Sequence, residues 1–276
     1  MNPVAAFAAA VLLLGSSPPP PRPAATYSGE TRVLLFTRTT GFRHDSIPDA
    51  IAALRRIGSE SGFLVDATED PEAFRDATLS VYRVVVFLLT TGDVLDADGQ
   101  AALERFVGSG GGFVGVRSAT DTEYDWPFYG RLVGEYFAGH PNVQPATVRV
   151  EDRAHPATVS LPVAWPRTDE WYSFRTNPRG RVHVLATLDE GTYSGGSMGA
   201  DHPIAWCQEI AGGRAIYTAG GHTRESYTEP LFLAHLAGAV RWAAGLEPGD
   251  CGPGERVPPR RIEAPRRTPR IVAPRR

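Results

Sequence analysis

The sequence predicts an α/β fold, a mostly parallel sheet with helices on both faces and an added antiparallel part. Short continuous apolar runs at residues 33–37, 84–89 and 112–116 have the pattern of strands buried on both faces. Stretches with helical spacing lie between them, and strand, helix, strand in succession implies right-handed crossovers into a parallel sheet. With 276 residues, 42% hydrophobic and 9% aromatic, the chain can build a substantial core without disulfide staples.

The elements follow in order. After the strand at 33–37, Ser46 is placed to cap a helix, Pro48 suits its first turn, and Ile47, Ile51, Leu54 and Gly58 share one face. Residues 63–67 give a second strand and 84–89 a third. The loop Thr90-Thr91-Gly92-Asp93 then leads to a helix with Leu103, Phe106 and Val107 inward, and 112–116 is a fourth strand. In the less regular second half, 143–150, 182–188, 204–209 and 215–219 read as strands. Residues 230–243 form a closing helix through Leu233, Leu236, Val240 and Trp242. Ile210-Ala211-Gly212-Gly213 signals a hairpin whose register sets His202 opposite Gly221, bringing His202 and His222 to one end of the sheet. Sites in such sheets open at the carboxyl ends of the strands, which selects the loops 38–46, 90–94 and 117–125.

Charge is uneven along the chain. The net charge is -3, yet residues 252–276 carry +6 and the body carries -9. An acidic body argues against nucleic-acid binding, which needs clustered positive charge. All 28 basic residues are arginine, so no Schiff-base or P-loop lysine exists. Residues 1–25 read as a signal-peptide-like leader: the apolar stretch 4–15 is too short to span a bilayer. The expectation is an exported protein, periplasmic or secreted, with no transmembrane span. Residues 247–276 form a Pro/Arg-rich tail expected to be disordered, either simply solvated or tethering the protein to anionic cell-surface polymers. Cys207 and Cys251 flank the closing helix and fit a disulfide in an oxidising compartment; the alternative is one buried and one exposed thiol.

Covalent chemistry has little support. Gly108-Ser109-Gly110-Gly111-Gly112 precedes a strand and reads as a turn, not a phosphate loop. Ser118 leaves a strand where a nucleophile could stand, but Val116 occupies the glycine position its elbow would need, and no cysteine stands there for an amidotransferase. Of the seven histidines, His183 and His235 suit the core or its rim, and His140 and His155 suit turns. His44, His202 and His222 occupy loops at one edge and, with Asp169 or Glu170, could hold a divalent metal such as zinc. Aromatics mixed with carboxylates suit a sugar, which offers apolar ring faces and hydroxyls. Asp121, Tyr124, Trp126, Trp171 and Tyr172 are therefore substrate-binding candidates, with filling of a satellite core as the plain alternative.

Six motifs in order carry a resemblance: Gly41-Phe42-Arg43-His44, Gly112-Phe113-Val114-Gly115, Ser118-Ala119-Thr120-Asp121-Thr122-Glu123-Tyr124, Thr168-Asp169-Glu170-Trp171-Tyr172, Asp201-His202-Pro203-Ile204-Ala205-Trp206 and Gly220-Gly221-His222-Thr223. Over residues 31–246 the chain resembles the trehalose-utilisation (ThuA-like) family. The resemblance implies a flavodoxin-like sheet, similar to class I glutamine amidotransferases, and a small-molecule carbohydrate substrate of the trehalose or 3-keto disaccharide class. It also implies a histidine where this chain has Arg117, an exchange that favours gripping an oxyanion over binding metal. The expected activity is that of a carbohydrate lyase, hydrolase or isomerase: proton abstraction by Glu170 or His222 and elimination, with Arg117 or a metal on His44, His202 and His222 stabilising the enolate. The rival is a sugar-binding or interaction module without turnover.

Overall fold

A computed structural model describes residues 30–252. The leader 1–25 and the tail beyond residue 252 lie outside the described residues. Nine strands form one sheet: β1 (Thr31–Phe36), β2 (Phe63–Thr68), β3 (Val84–Leu88), β4 (Gly112–Val116), β6 (Gln144–Val150), β7 (Ala164–Asp169), β9 (His183–Asp189), β10 (Pro203–Ile210) and β11 (Gly213–Thr218). Between them β5 (Phe137–Gly139) and β8 (Ser173–Phe174) pair as a small separate ribbon. The order β2-β1-β3-β4-β11-β10-β9-β6-β7 is parallel up to β11 and antiparallel beyond it. The fold is α/β, mostly parallel, with the antiparallel strands added at one side.

The pleat sorts the parallel half into two faces. Phe36, Phe87, Phe113 and Tyr217 fall on one, where the phenylalanine rings meet Phe74 and Tyr129 and the Tyr217 ring meets Trp206 and Phe174. Helices α3 (Ala97–Gly108) and α4 (Pro127–Val133) cover this aromatic face. The opposite face, with Val33, Leu35, Val86 and Val114, is covered by α1 (Ile47–Ser61) and α5 (Pro230–Ala243). A single turn of helix, α2 (Asp76–Leu79), packs beside α3.

The hairpin register agrees residue for residue, with Ala205 opposite Thr218 and Glu209 opposite Arg214. Strand β7 was not visible in the sequence. Its pattern alternates exposed and buried, it contains Pro166, and the residues it turns inward are Trp165, Arg167 and Asp169, so no apolar run marks it. Cys207 on β10 and Cys251 are joined in a disulfide with Cα atoms 5.5 Å apart, tying the segment after α5 back to the sheet. Among the described residues no helix is long and apolar enough to cross a membrane.

Candidate active site

The carboxyl ends of β1, β3, β4 and β11 release four loops that hold one another. Isolated bridges Thr39–Thr91 and Gly92–Thr122 extend the parallel pairing past the strands. The Ser46 hydroxyl at the head of α1 donates to the His222 carbonyl at 2.8 Å, joining the loop after β1 to the loop after β11. From the antiparallel side, the turn after β7 delivers Glu170 and Tyr172, and the loop after β5 delivers His140.

Arg117 is the centre of the cluster. It follows β4 directly with φ 58°, a left-handed conformation that costs a non-glycine residue about 1 kcal/mol or more. The strained elbow sought around Ser118 therefore exists one residue earlier, with Gly115 two positions before it, and it presents an arginine. Ser118 is buried with its hydroxyl unpartnered, out of reach of any substrate. The Arg117 side chain is fully buried. It donates to the Glu170 carbonyl and carboxylate and to the Ala219 carbonyl, and its guanidinium lies 3.4 Å from the centre of the Tyr172 ring.

Three histidines surround this ion pair. His222 Nδ1 is 3.3 Å from Glu170 Oε2 and 3.5 Å from Arg117 Nη2. A carboxylate there favours the tautomer with the proton on Nδ1, which leaves Nε2 as the acceptor. Burial, and then the Arg117 charge, hold the His222 pKa below its ordinary value. His140 Nδ1 stands 3.1 Å from the other carboxylate oxygen of Glu170. His44 is buried and packs edge-on to His222, ring centres 5.1 Å apart. Burial and the nearby Arg117 push it down to about 3, so it is neutral, and its Nδ1 has no partner among the described residues.

Asp169 fixes the loop that carries His222. Fully buried, it accepts from the backbone N–H of Gly221 (2.8 Å) and of His222 (3.0 Å) and pairs with Arg167 at 3.0 Å. Gly221 has φ 105°, and a Cβ there would lie 2.6 Å from the Tyr227 hydroxyl, so glycine is required.

The proposed metal triad does not assemble. His202 lies at the same edge but one layer behind: Nε2 is 2.8 Å from the Tyr172 carbonyl and Nδ1 2.9 Å from Glu190, leaving no nitrogen for an ion. Its imidazole packs edge-on to Phe174 and ties down the Tyr172 backbone. The guanidinium of Arg117 already contacts Glu170 and stands beside His222 Nδ1, so a second cation would meet a fixed positive charge. His44 and His222 with Glu170 thus fit a proton-handling role better than a metal. The sequence suits His140 to a turn, and the structure brings it from the loop after β5 to Glu170.

The aromatic candidates divide. Trp171 is fully buried and donates to the Gln144 carbonyl at 2.9 Å, and Trp126 stacks on Tyr129 at 5.9 Å, so both serve packing. Tyr172 is buried under Arg117 and shapes the site from below. Asp121 accepts from the Tyr124 hydroxyl at 2.6 Å, and Arg175 lies over the Tyr124 ring at 4.4 Å. Tyr124 lines a separate cleft of about 610 Å³ with Arg131, Glu135, Tyr136, Arg181 and Gln208, into which none of the clustered histidines opens.

The sequence model of the family described as trehalose utilisation (ThuA) matches residues 32–243. The chain belongs to the ThuA family. Solved structures agree on the ThuA fold. A ThuA-like protein of Bacteroides uniformis superposes with a TM-score of 0.68 at 24% identity, covering 80% of this chain and 95% of that one. A second, from Parabacteroides merdae, gives 0.66 at 21% identity, with 78% and 90% covered. A β-galactosidase of Rahnella sp. R3 shares the fold at a TM-score of 0.52 and 16% identity, over 79% of this chain and 32% of that enzyme. No curated protein matches the sequence. Membership in ThuA points to a carbohydrate-related role.

Proposed function

We propose that this ThuA protein is an exported carbohydrate-active enzyme that acts on trehalose-related or 3-keto disaccharides and glycosides by proton abstraction and elimination. The observation that carries the reading is His222 held between the Glu170 carboxylate and the Arg117 guanidinium, with Nε2 free of partners among the described residues. A ketone at carbon 3 acidifies the proton on carbon 2. His222 Nε2 takes that proton, the C–H electron pair becomes the C1–C2 double bond, and the C1–O bond breaks. The departing oxygen keeps the bonding electrons and recovers the proton from His222.

Each neighbour has a task. Burial, and then Arg117, keep the imidazole neutral near pH 7, ready to accept, and Glu170 balances the imidazolium once it forms. The Arg117 charge also favours negative charge developing on the carbon 3 oxygen. The Glu170 carboxylate oxygens are already taken up by Arg117, His140 and His222, which leaves His222 Nε2 as the acceptor facing the substrate. Export is supported by the signal-like leader and by the Cys207–Cys251 bond.

The test is turnover of 3-keto-trehalose and of trehalose, followed by NMR for the unsaturated product. His222→Ala should slow the 3-keto reaction by about 10²–10⁴-fold. Sugar binding without turnover in the wild type would instead assign the protein to the non-catalytic rival, and turnover unaffected by His222→Ala would remove the base.

A further inference from the structure

With Trp126 and Trp171 committed to packing, the aromatic ring left facing solvent at the site is a different one. Phe42 is 66% exposed, the highest among the large hydrophobic side chains exposed in the described residues, and the only aromatic of that set. It stands edge-on to His44, ring centres 4.9 Å apart and planes at 90°, and His44 in turn packs against His222. Phe42 and the base are therefore separated by one imidazole.

The backbone beneath Phe42 is fixed. Thr40 and Gly41 N–H both donate to the Thr91 carbonyl, at 2.8 and 3.4 Å, and the Thr91 hydroxyl donates to the Phe42 carbonyl at 2.8 Å. Arg43 anchors the next residue to Glu69 at 2.6 Å. A ring held on such a loop loses little freedom when a ligand covers it. Its free face suits the C–H groups of a pyranose, and an aromatic left in water beside a polar cluster gains most from such a partner.

We propose that Phe42 is the stacking platform for the leaving-group ring of the glycoside, and so the residue that makes this site prefer a disaccharide over a simple alkyl glycoside. The sugar that loses its proton must reach His222, which places the second ring outward, over Phe42. Identification of that ring as the leaving group rests on the elimination reading above; the stacking contact does not.

Two measurements separate the two ideas. In steady-state kinetics, Phe42→Ala should lower the preference for 3-keto-trehalose over methyl 3-keto-glucoside about tenfold through KM, and Phe42→Trp should restore it. An unchanged preference overturns the platform. If neither substrate is turned over, the elimination reading fails, and saturation-transfer NMR with trehalose decides the contact. Transfer seen in wild type and Phe42→Trp but lost in Phe42→Ala supports it. Transfer that is equal in all three proteins, or absent from the wild type, overturns it.

Discussion

The parallel and antiparallel halves of the sheet bury different chemistry. In β3 and β4 every residue is buried and apolar or glycine, whereas β7 alternates and turns Arg167 and Asp169 inward along with Trp165. The parallel half contributes strand ends and short loops that hold His44, Arg117 and His222. The antiparallel half contributes the carboxylates, Asp169 to fix the His222 backbone and Glu170 to pair with Arg117. Neither half contains a complete site, which forms at the seam where the loops of the two halves meet.

The largest expected effect comes from cutting the link between the halves. Asp169→Ala leaves Arg167 buried without one of its two carboxylate partners and the backbone N–H groups of Glu170, Gly221 and His222 unmet, and should cost about 3–5 kcal/mol in chemical denaturation. Leu35→Ala, a truncation inside the parallel half, should cost about 2–5 kcal/mol. The two differ at the site: only the Asp169 variant should alter the His222 imidazole titration by NMR. If both variants leave His222 untouched, the antiparallel half does not position the base.

Opening the Cys207–Cys251 bond by serine substitution should cost about 2–4 kcal/mol, read as a lower midpoint in urea. Alkylation of the unreduced protein should modify neither cysteine, and labelling of both would refute the bond.

A smaller effect per pH unit concerns three histidines buried in the neutral form, one in the parallel half and two packed on the antiparallel side. Burial lowers His44 to about 3, and His155 and His235 to about 4. The unfolded chain binds these protons near pH 6.5 and the folded one does not. Their contribution is therefore complete above about 6.5 and is lost as pH falls toward 4, at roughly 1.4 kcal/mol per unit for each group. Denaturation at pH 7 and pH 5 measures the slope, and His235→Phe should flatten it. A slope unchanged in that variant removes His235 from the account.

The smallest predicted change sharpens the seam itself. Arg117→His replaces a fixed cation beside Glu170 and His222 with a ligand, and should tighten zinc binding about tenfold or more. Equal or tighter zinc binding by the wild type would show that the guanidinium does not exclude an ion.

These differences also explain what could be read before the structure. Continuous apolar runs announce β1, β3 and β4 because burial on both faces leaves a local signature. An edge strand such as β7, which carries a proline and buries charge, leaves none. The Ser118 elbow was sought one residue late because backbone strain at Arg117 is a dihedral property, invisible in residue type.

By itself the sequence determined the α/β class, the β10–β11 register and the family motifs, which depend on local spacing, and through the strand order the edge where the site lies. Tertiary structure alone decided which side chains meet there. It excluded His202 by engaging both its nitrogens, admitted His140 through the β5–β8 ribbon, buried Trp171 and packed Trp126 against the core, joined Cys207 to Cys251, exposed Phe42, and set Arg117 against Glu170. The reason is physical: spacing fixes which way a side chain points along its own element, but its partner is set by packing between elements distant in sequence.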